Sequence, residues 1–262
     1  MKTHFHQSPK CFLYMESKID NHIILLRINQ YWDSLGDNHP SQLSREQVYK
    51  GNPNWLDIRL EWFEKYVLEN LKTQDDMGFW CFMLIDPQTP PKYKDKLYSY
   101  EKFPFIKILE TNGDKGLGMD ELILDTYKSV RNNTNNEVIC SRLDTDDMVG
   151  PYWNTAVKQL LENQNRISLE TVLLYNFINK ETRIIKYSKG SFVSTKSSLD
   201  KFDNPRSFSH GSSNALSVDT EYPLVCMGIH DNNITNQNWW SAGRPFPLEE
   251  NVFNQMFKIK KI

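Results

Sequence analysis

Asp144, Asp146 and Asp147 stand at the end of a short run, Val138-Ile139-Cys140-Ser141-Arg142-Leu143, whose first four residues are apolar or small. Carboxylates this close raise one another's pKa unless a cation sits among them, and oxygen ligands favour hard ions such as Mg2+ or Mn2+. A strand that delivers three acids to its tip therefore points to a divalent metal. The competing reading makes Asp146 or Asp147 the cap of a helix announced by Pro151 and carried by Trp153, Val157, Leu160 and Leu161.

Other chemistries fail on spacing. A calcium loop counted from Asp144 needs an oxygen ligand at its fifth position and Gly at its sixth, where the chain has Met148 and Val149. Gly113, Gly116 and Gly118 are out of order for a dinucleotide fingerprint, and no phosphate loop ending in Gly-Lys-Ser/Thr occurs. A phosphatase that attacks through an aspartate places it after the first strand of its domain, whereas here several β-α units come first. The six His show no His-x-x-x-His pair, which argues against a zinc protease.

The elements that must position the acids read as alternating strands and helices from residue 22 to about 163. Strands are expected at 22–28, 79–85, 105–109 and from Val138. Helices are expected at 55–72, with Leu56, Leu60, Phe63, Val67, Leu68 and Leu71 on one face, then opened by Pro90-Pro91 and running to about Tyr98, and at 119–130. Such repeats build a parallel sheet whose ligands sit outside the carboxyl ends of the strands, where Arg27, Asp86 and Asp144 would converge. Beyond Leu169 the chain changes to short strands at 171–175, 183–187 and 191–193 with mixed or antiparallel pairing. A polar loop follows over 201–219, and an amphipathic piece over 246–258 that would cover the sheet.

With 262 residues, 39% hydrophobic and 24% charged, the chain has the composition of a globular protein with a sizeable core. A formal net charge of -2 leaves no electrostatic footprint for nucleic acid. The longest apolar runs, at 23–26 and 79–85, are far short of the ~20 residues a membrane-spanning helix needs. The first residues lack an apolar signal core, so a cytoplasmic location is expected. Cys11, Cys81, Cys140 and Cys226 have no Cys-x-x-Cys spacing and read as reduced packing residues. Trp32, Trp55, Trp239 and Trp240 sit in polar surroundings, where a ring can stack on a sugar or a base.

In four ordered blocks the chain resembles the putative rhamnosyltransferase family of GT-A-like enzymes. The blocks are Leu26-Arg27-Ile28-Asn29, then Trp55-Leu56-Asp57-Ile58-Arg59 leading to Phe63, Tyr66 and Gln74, then Leu84-Ile85-Asp86-Pro87-Gln88-Thr89-Pro90, and finally Ser141-Arg142-Leu143-Asp144-Thr145-Asp146-Asp147. Ile229-His230-Asp231-Asn232-Asn233-Ile234-Thr235-Asn236 is similar to a late His-Gly-x-Asn segment of that family, with Asp231 in place of Gly.

The resemblance implies a GT-A-like, Rossmann-type α/β fold: one domain with a mixed, mainly parallel sheet flanked by helices. That domain is expected at 22–262 after an N-terminal extension of 1–21, with a nucleotide-sugar half at 22–150 and an acceptor-side half at 151–262. It also implies a glycosyltransferase that moves a sugar, L-rhamnose by the family name, from a UDP- or dTDP-linked donor to a glycan acceptor with Mn2+ or Mg2+. Asp144 and Asp146, with His230, are then the expected metal ligands. Arg27, Asp86, Arg142, Asp144 and Asp146 are the expected donor contacts, with Asp86 reading the pyrimidine N-H. Asp200 is the expected general base, with Asp219 and His210 as rivals. Another hexose donor, or a noncatalytic nucleotide-sugar or carbohydrate module, are the alternatives.

Overall fold

The computed structural model describes residues 21–31, 55–111, 118–187, 192–207, 214–230 and 240–259. Cys11, Trp32, His210, Gly113, Gly116, Trp239, the 231–236 segment and the expected 1–21 extension, apart from Asn21, lie outside these residues.

Apolar runs become buried strands. β1 (His22–Arg27), β2 (Phe79–Ile85), β3 (Ile106–Glu110) and β4 (Glu137–Asp144) pair in parallel in the order β4-β1-β2-β3. The chain therefore builds outward from β1 on one side and then returns to its other side. That reversal between β1 and β4 opens a crevice at the carboxyl ends of the strands.

The acidic motif lies in that crevice because the chain changes sheets there. Asp144 ends β4, and Asp147 begins β5 (Asp147–Val149), which belongs to a second sheet. This second sheet consists of β7 (Thr171–Asn176), β8 (Thr182–Lys186), β11 (Val225–Ile229), β12 (Arg244–Pro245) and β5, in the order β12-β8-β7-β11-β5 with β5 at its edge. The helix-cap reading of the acids does not hold. The helix α5 (Trp153–Leu160) begins after Tyr152 with no side-chain cap, and Asp147 is a strand residue.

The first sheet continues past β4 with β9 (Val193–Ser198), β6 (Arg166–Leu169) and β10 (Leu216–Val218). β9 is antiparallel to both of its neighbours. Residues from the two expected halves therefore share both sheets, since β6, β9 and β10 extend the first and β5 enters the second. The 201–219 segment is not all loop, because it carries β10 and a short helical turn at Pro205–Ser207.

Helices cover both faces of the first sheet. On one side lie α1 (Trp55–Trp62), a π-helical turn (Phe63–Val67), α2 (Leu68–Leu71), α3 (Pro91–Tyr98) and α5. Their Leu56, Leu60, Phe63, Val67, Leu71, Leu97 and Val157 pack with Ile24, Leu26, Met83 and Ile139. On the other side, Met119, Ile123 and Tyr127 of α4 (Met119–Val130) pack on Ile23, Leu25, Phe82 and Cys140. Burying one such aliphatic side chain contributes about 1.5–3 kcal/mol, so each helix is held mainly by its apolar stripe. The last helix, α6 (Glu250–Met256), sets Phe253 against Tyr175 beside the second sheet.

Cys81, Cys140 and Cys226 are free and buried, and burial pushes their thiols well above the usual range, as expected of packing residues. Among the described residues no helix is long and apolar enough to cross a membrane.

Candidate functional site

Arg27 and Asp144 are register partners at the ends of β1 and β4, with Arg27 Nη2 3.8 Å from Asp144 Oδ1. Two more guanidiniums reach the same carboxylate: Arg142 Nη2 lies 3.9 Å from Oδ2, and Arg206 Nη2 lies 3.3 Å from Oδ1. The three differ in exposure. The Arg27 side chain is 38% exposed, that of Arg142 9% and that of Arg206 4%. Burial pulls the Arg142 guanidinium below its ordinary value and that of Arg206 down to about 9, while Asp144 opposes both shifts.

A fourth arginine comes from α1. Arg59 Nη1 donates to Thr145 Oγ1 at 2.6 Å, and its guanidinium lies 4.6 Å from the Trp55 ring centroid. Burial lowers its pKa, and the charge of Asp146 resists that shift. The Trp55 ring, expected to be open for stacking, is thus occupied by Arg59, and Trp240 likewise carries Arg183 at 4.6 Å.

Asp146 acts on Arg59 through its charge and also meets a histidine. Its Oδ2 lies 3.1 Å from His230 Nε2, and His230 directly follows β11. The imidazole is bracketed by rings, with Trp62 at 3.8 Å and Phe177 at 6.0 Å between centroids. The π-helical turn begins one residue after Trp62, and such turns are frequent at functional sites. Close backbone approach completes the corner. Gly228 N donates to Asp146 O at 3.0 Å, and a Cβ on Gly228 would fall 2.3 Å from that oxygen. Asp147, buried beneath, has its carboxyl pushed well above the usual range, first by desolvation and then by Asp146 and Asp144.

Whether these residues suit a metal can be judged from the donors. Two ligands at right angles around an ion, each about 2.1 Å away, lie about 3 Å apart, and Mg2+ uses one or two carboxylates with phosphate and water completing the shell. The 3.1 Å pair of Asp146 and His230 fits that pattern. Among the described residues no three His, Cys, Asp or Glu side chains group around one point, so the pair fits an ion completed by a phosphate ligand rather than a closed protein site. Asp144 lies against Arg27, Arg142 and Arg206 and, among the described residues, forms no group of three with Asp146 and His230, the other two expected metal ligands.

Two further expectations find different positions. Asp86 is fully buried, and its Oδ1 accepts from Gln88 N at 3.0 Å, so it shapes the turn after β2 instead of opening toward a pyrimidine. Asn29 at the end of β1 holds the same turn by donating to Thr89 Oγ1 at 2.8 Å. Asp200 lies at the wrong edge of the sheet. β9 is antiparallel to β4, and Ser198 pairs with Glu137, the first residue of β4, whereas Asp144 is the last. Seven residues of strand put Asp200 about 23 Å from the acidic tip. Asp219 follows β10 at the correct edge but three strands from β4, about 14 Å away. Its carboxylate is held below the usual range by Lys186 and Thr171.

Arg206 is a residue the sequence did not single out. It sits in a segment rich in Ser, Asn and Asp with no periodicity, so no local pattern marks it. Arg59 carried a signal, since it belongs to the second resembling block.

Comparison with known proteins gives a family. A family model described as putative rhamnosyl transferase matches residues 33–193. No protein of curated function matches the chain. Similar solved structures include a putative nucleotide-diphospho-sugar transferase from Desulfovibrio desulfuricans G20, with 11% identity and a TM-score of 0.36 over 84% of this chain and 89% of that one. S. aureus TarS is 10% identical with a TM-score of 0.38, over 84% of this chain and 38% of that one. The mannosyltransferase PcManGT from Pyrobaculum calidifontis, solved with GDP-Man and Mn2+, is 11% identical with a TM-score of 0.40, over 84% of this chain and 59% of that one. The chain thus spans less than two thirds of TarS and of PcManGT. With the family model covering more than half of its length, the chain belongs to the putative rhamnosyl transferase family and is a glycosyltransferase.

Proposed function

We propose that this protein transfers a sugar, L-rhamnose, from a nucleoside-diphosphate donor to a glycan acceptor, with the donor's diphosphate lying over the carboxyl ends of β1 and β4. The observation that carries this reading is the gathering of arginines and a histidine around the acidic motif at the crevice. Asp144 gathers Arg27, Arg142 and Arg206, and Asp146 meets His230.

As the glycosidic bond breaks, the leaving nucleoside diphosphate gains negative charge, and fixed cations aimed at that charge lower the barrier. Arg27, more exposed than Arg142 and Arg206, would donate to a phosphate, and its planar fork suits two oxygens at once. Arg142 backs it. Asp146 and His230 would hold Mg2+ or Mn2+, whose chemistry is to neutralise the departing diphosphate without proton transfer. Arg59 fixes the peptide between Asp144 and Asp146 through Thr145.

The sugar follows from the family description, and the nucleotide from the pyrimidine-linked donors expected of such enzymes. The test is release of nucleoside diphosphate from a panel of UDP-, dTDP- and GDP-linked sugars, with and without Mn2+ or Mg2+, across glycan acceptors. Turnover of a dTDP- or UDP-linked deoxyhexose supports the proposal. Binding without turnover across the panel would point to a carbohydrate-binding role.

A further inference from the structure

We infer that Arg206 is a positioning residue of the donor site: it holds Asp144 in place from behind the sheet and so sets where Arg27 presents its guanidinium. The inference rests on the donor site proposed above.

The geometry separates Arg206 from its neighbours. Its Nη2 donates to Leu25 O at 3.0 Å and also to Leu143 O, its Nε reaches Leu25 O at 3.3 Å, and Nη2 stands 3.3 Å from Asp144 Oδ1. Leu25 belongs to β1 and Leu143 to β4, so one guanidinium ties both strands that flank the crevice to the carboxylate at its rim. At 4% exposure it is unavailable to a ligand, whereas Arg27, on the same Asp144 oxygen, is open. Nη2 shares its two hydrogens among the two carbonyls and the carboxylate while Nε adds a second bond to Leu25 O, and a lysine ammonium, one nitrogen on a flexible stem, does not reproduce that two-nitrogen grip.

The route by which Arg206 arrives is also built. After the turn at Leu199–Lys201, the chain runs back along β9, with Asp203 N donating to Ser197 Oγ at 3.1 Å. Asn204 then anchors the segment to the start of α4, its Nδ2 donating to Asp120 Oδ1 at 2.7 Å, while its Oδ1 accepts from Arg206 N at 2.9 Å. A segment from the acceptor-side half thus supplies a buried cation to the donor side. Asp144, 3.3 Å away, favours the charged form and offsets part of the cost of burying that cation, so the two residues are energetically coupled.

Coupling is what a merely structural arginine would lack, and a double-mutant cycle reads it. Affinity for uridine diphosphate and thymidine diphosphate is measured by calorimetry, with Mn2+ present, on the full chain carrying Arg206→Lys, Asp144→Asn or both. Arg206→Lys should weaken binding about tenfold alone and less than about twofold on the Asp144→Asn background. Equal losses on both backgrounds, or no loss on either, would overturn the inference. Should Arg206→Lys fail to fold by circular dichroism, Asn204→Ala keeps the guanidinium and removes its tether. It should weaken binding about threefold, again only when Asp144 is intact; an equal effect with Asp144→Asn counts against the inference. If the unaltered chain binds neither nucleotide, the donor site itself is refuted, a result distinct from an additive cycle.

Discussion

His230 Nε2 and Asp146 Oδ2 meet at 3.1 Å across 84 residues of sequence, one just beyond β11 and the other in the turn where the chain leaves the first sheet. This contact joins the two sheets at the crevice and supplies the donor pair through which a divalent ion would act. Removing either partner tests it directly. Asp146→Ala and His230→Ala should each lower turnover about a hundredfold or more, as expected when charge stabilisation at the leaving group is lost. Both side chains are buried, so each variant should also melt lower, and turnover is compared per folded molecule. Activity that survives Asp146→Ala, measured as nucleoside diphosphate release at saturating Mn2+, would remove Asp146 from the site.

Gly228 makes that contact possible. A Cβ there would lie 2.3 Å from Asp146 O and 2.4 Å from Phe177 Cζ, and neither a strand carbonyl nor a packed ring can yield cheaply. Gly228→Ala should therefore cost about 1–3 kcal/mol of stability by urea denaturation, with loss of activity beyond what the unfolded fraction explains. A fully stable and active variant would show that β11 can shift without disturbing His230.

Asp200 offers the opposite outcome. Losing a true general base costs about a hundredfold or more in rate. Because Asp200 stands beside Glu137 at the far edge of the sheet, Asp200→Ala should leave kcat close to that of the parent enzyme. A loss of that size in steady-state assays would mean that the sheet edges have been assigned the wrong roles.

His22 predicts a pH dependence of stability. Its Nδ1 lies 2.6 Å from Asn154 Oδ1, and its Nε2 lies 2.7 Å from Ser141 Oγ. Asn154 uses its Nδ2 to donate to Asp76 O, so its oxygen is the acceptor. The ring must then carry its hydrogen on Nδ1 and accept from Ser141. Desolvation, partly offset by the Asn154 bond, lowers the pKa from 6.5 to about 3. Between those values the unfolded chain binds a proton that the folded chain refuses. Stability from this group is thus complete above pH 6.5 and falls as the pH drops toward 3, by up to about 1.4 kcal/mol per pH unit. Denaturation of the parent and of His22→Gln near pH 5 and near pH 7.5 should show a shallower pH slope for the variant, and parallel slopes would remove His22 as the cause.

Much of the architecture was legible in the residues alone, because local patterns carry it. The run Phe79–Ile85 bounded by Asp86-Pro87, the proline-opened helix Pro91–Tyr98 and the amphipathic helix Met119–Val130 lie where period and punctuation put them. The short strand expected at 191–193 runs further, over Val193–Ser198, for a physical reason. Val193-Ser194-Thr195-Lys196-Ser197-Ser198 is too polar to mark a strand by hydropathy, and its hydroxyls find partners across the sheet. Ser194 Oγ lies 2.6 Å from Ser141 Oγ, and Thr195 Oγ1 donates to Cys140 O at 3.3 Å.

The same division holds at the site. Sequence alone determined that acids cluster after a strand and that Arg27 and Arg142 lie near them in an α/β chain, while the family resemblance brought the late His230 segment to the same site. Tertiary structure alone decided which acid faces which partner. Asp144 turned to three guanidiniums, Asp146 to an imidazole, Asp86 inward to its own turn and Asp200 to the far edge. Those outcomes depend on strand order, antiparallel register and the desolvation of Arg206, which are long-range quantities that no spacing along the chain encodes.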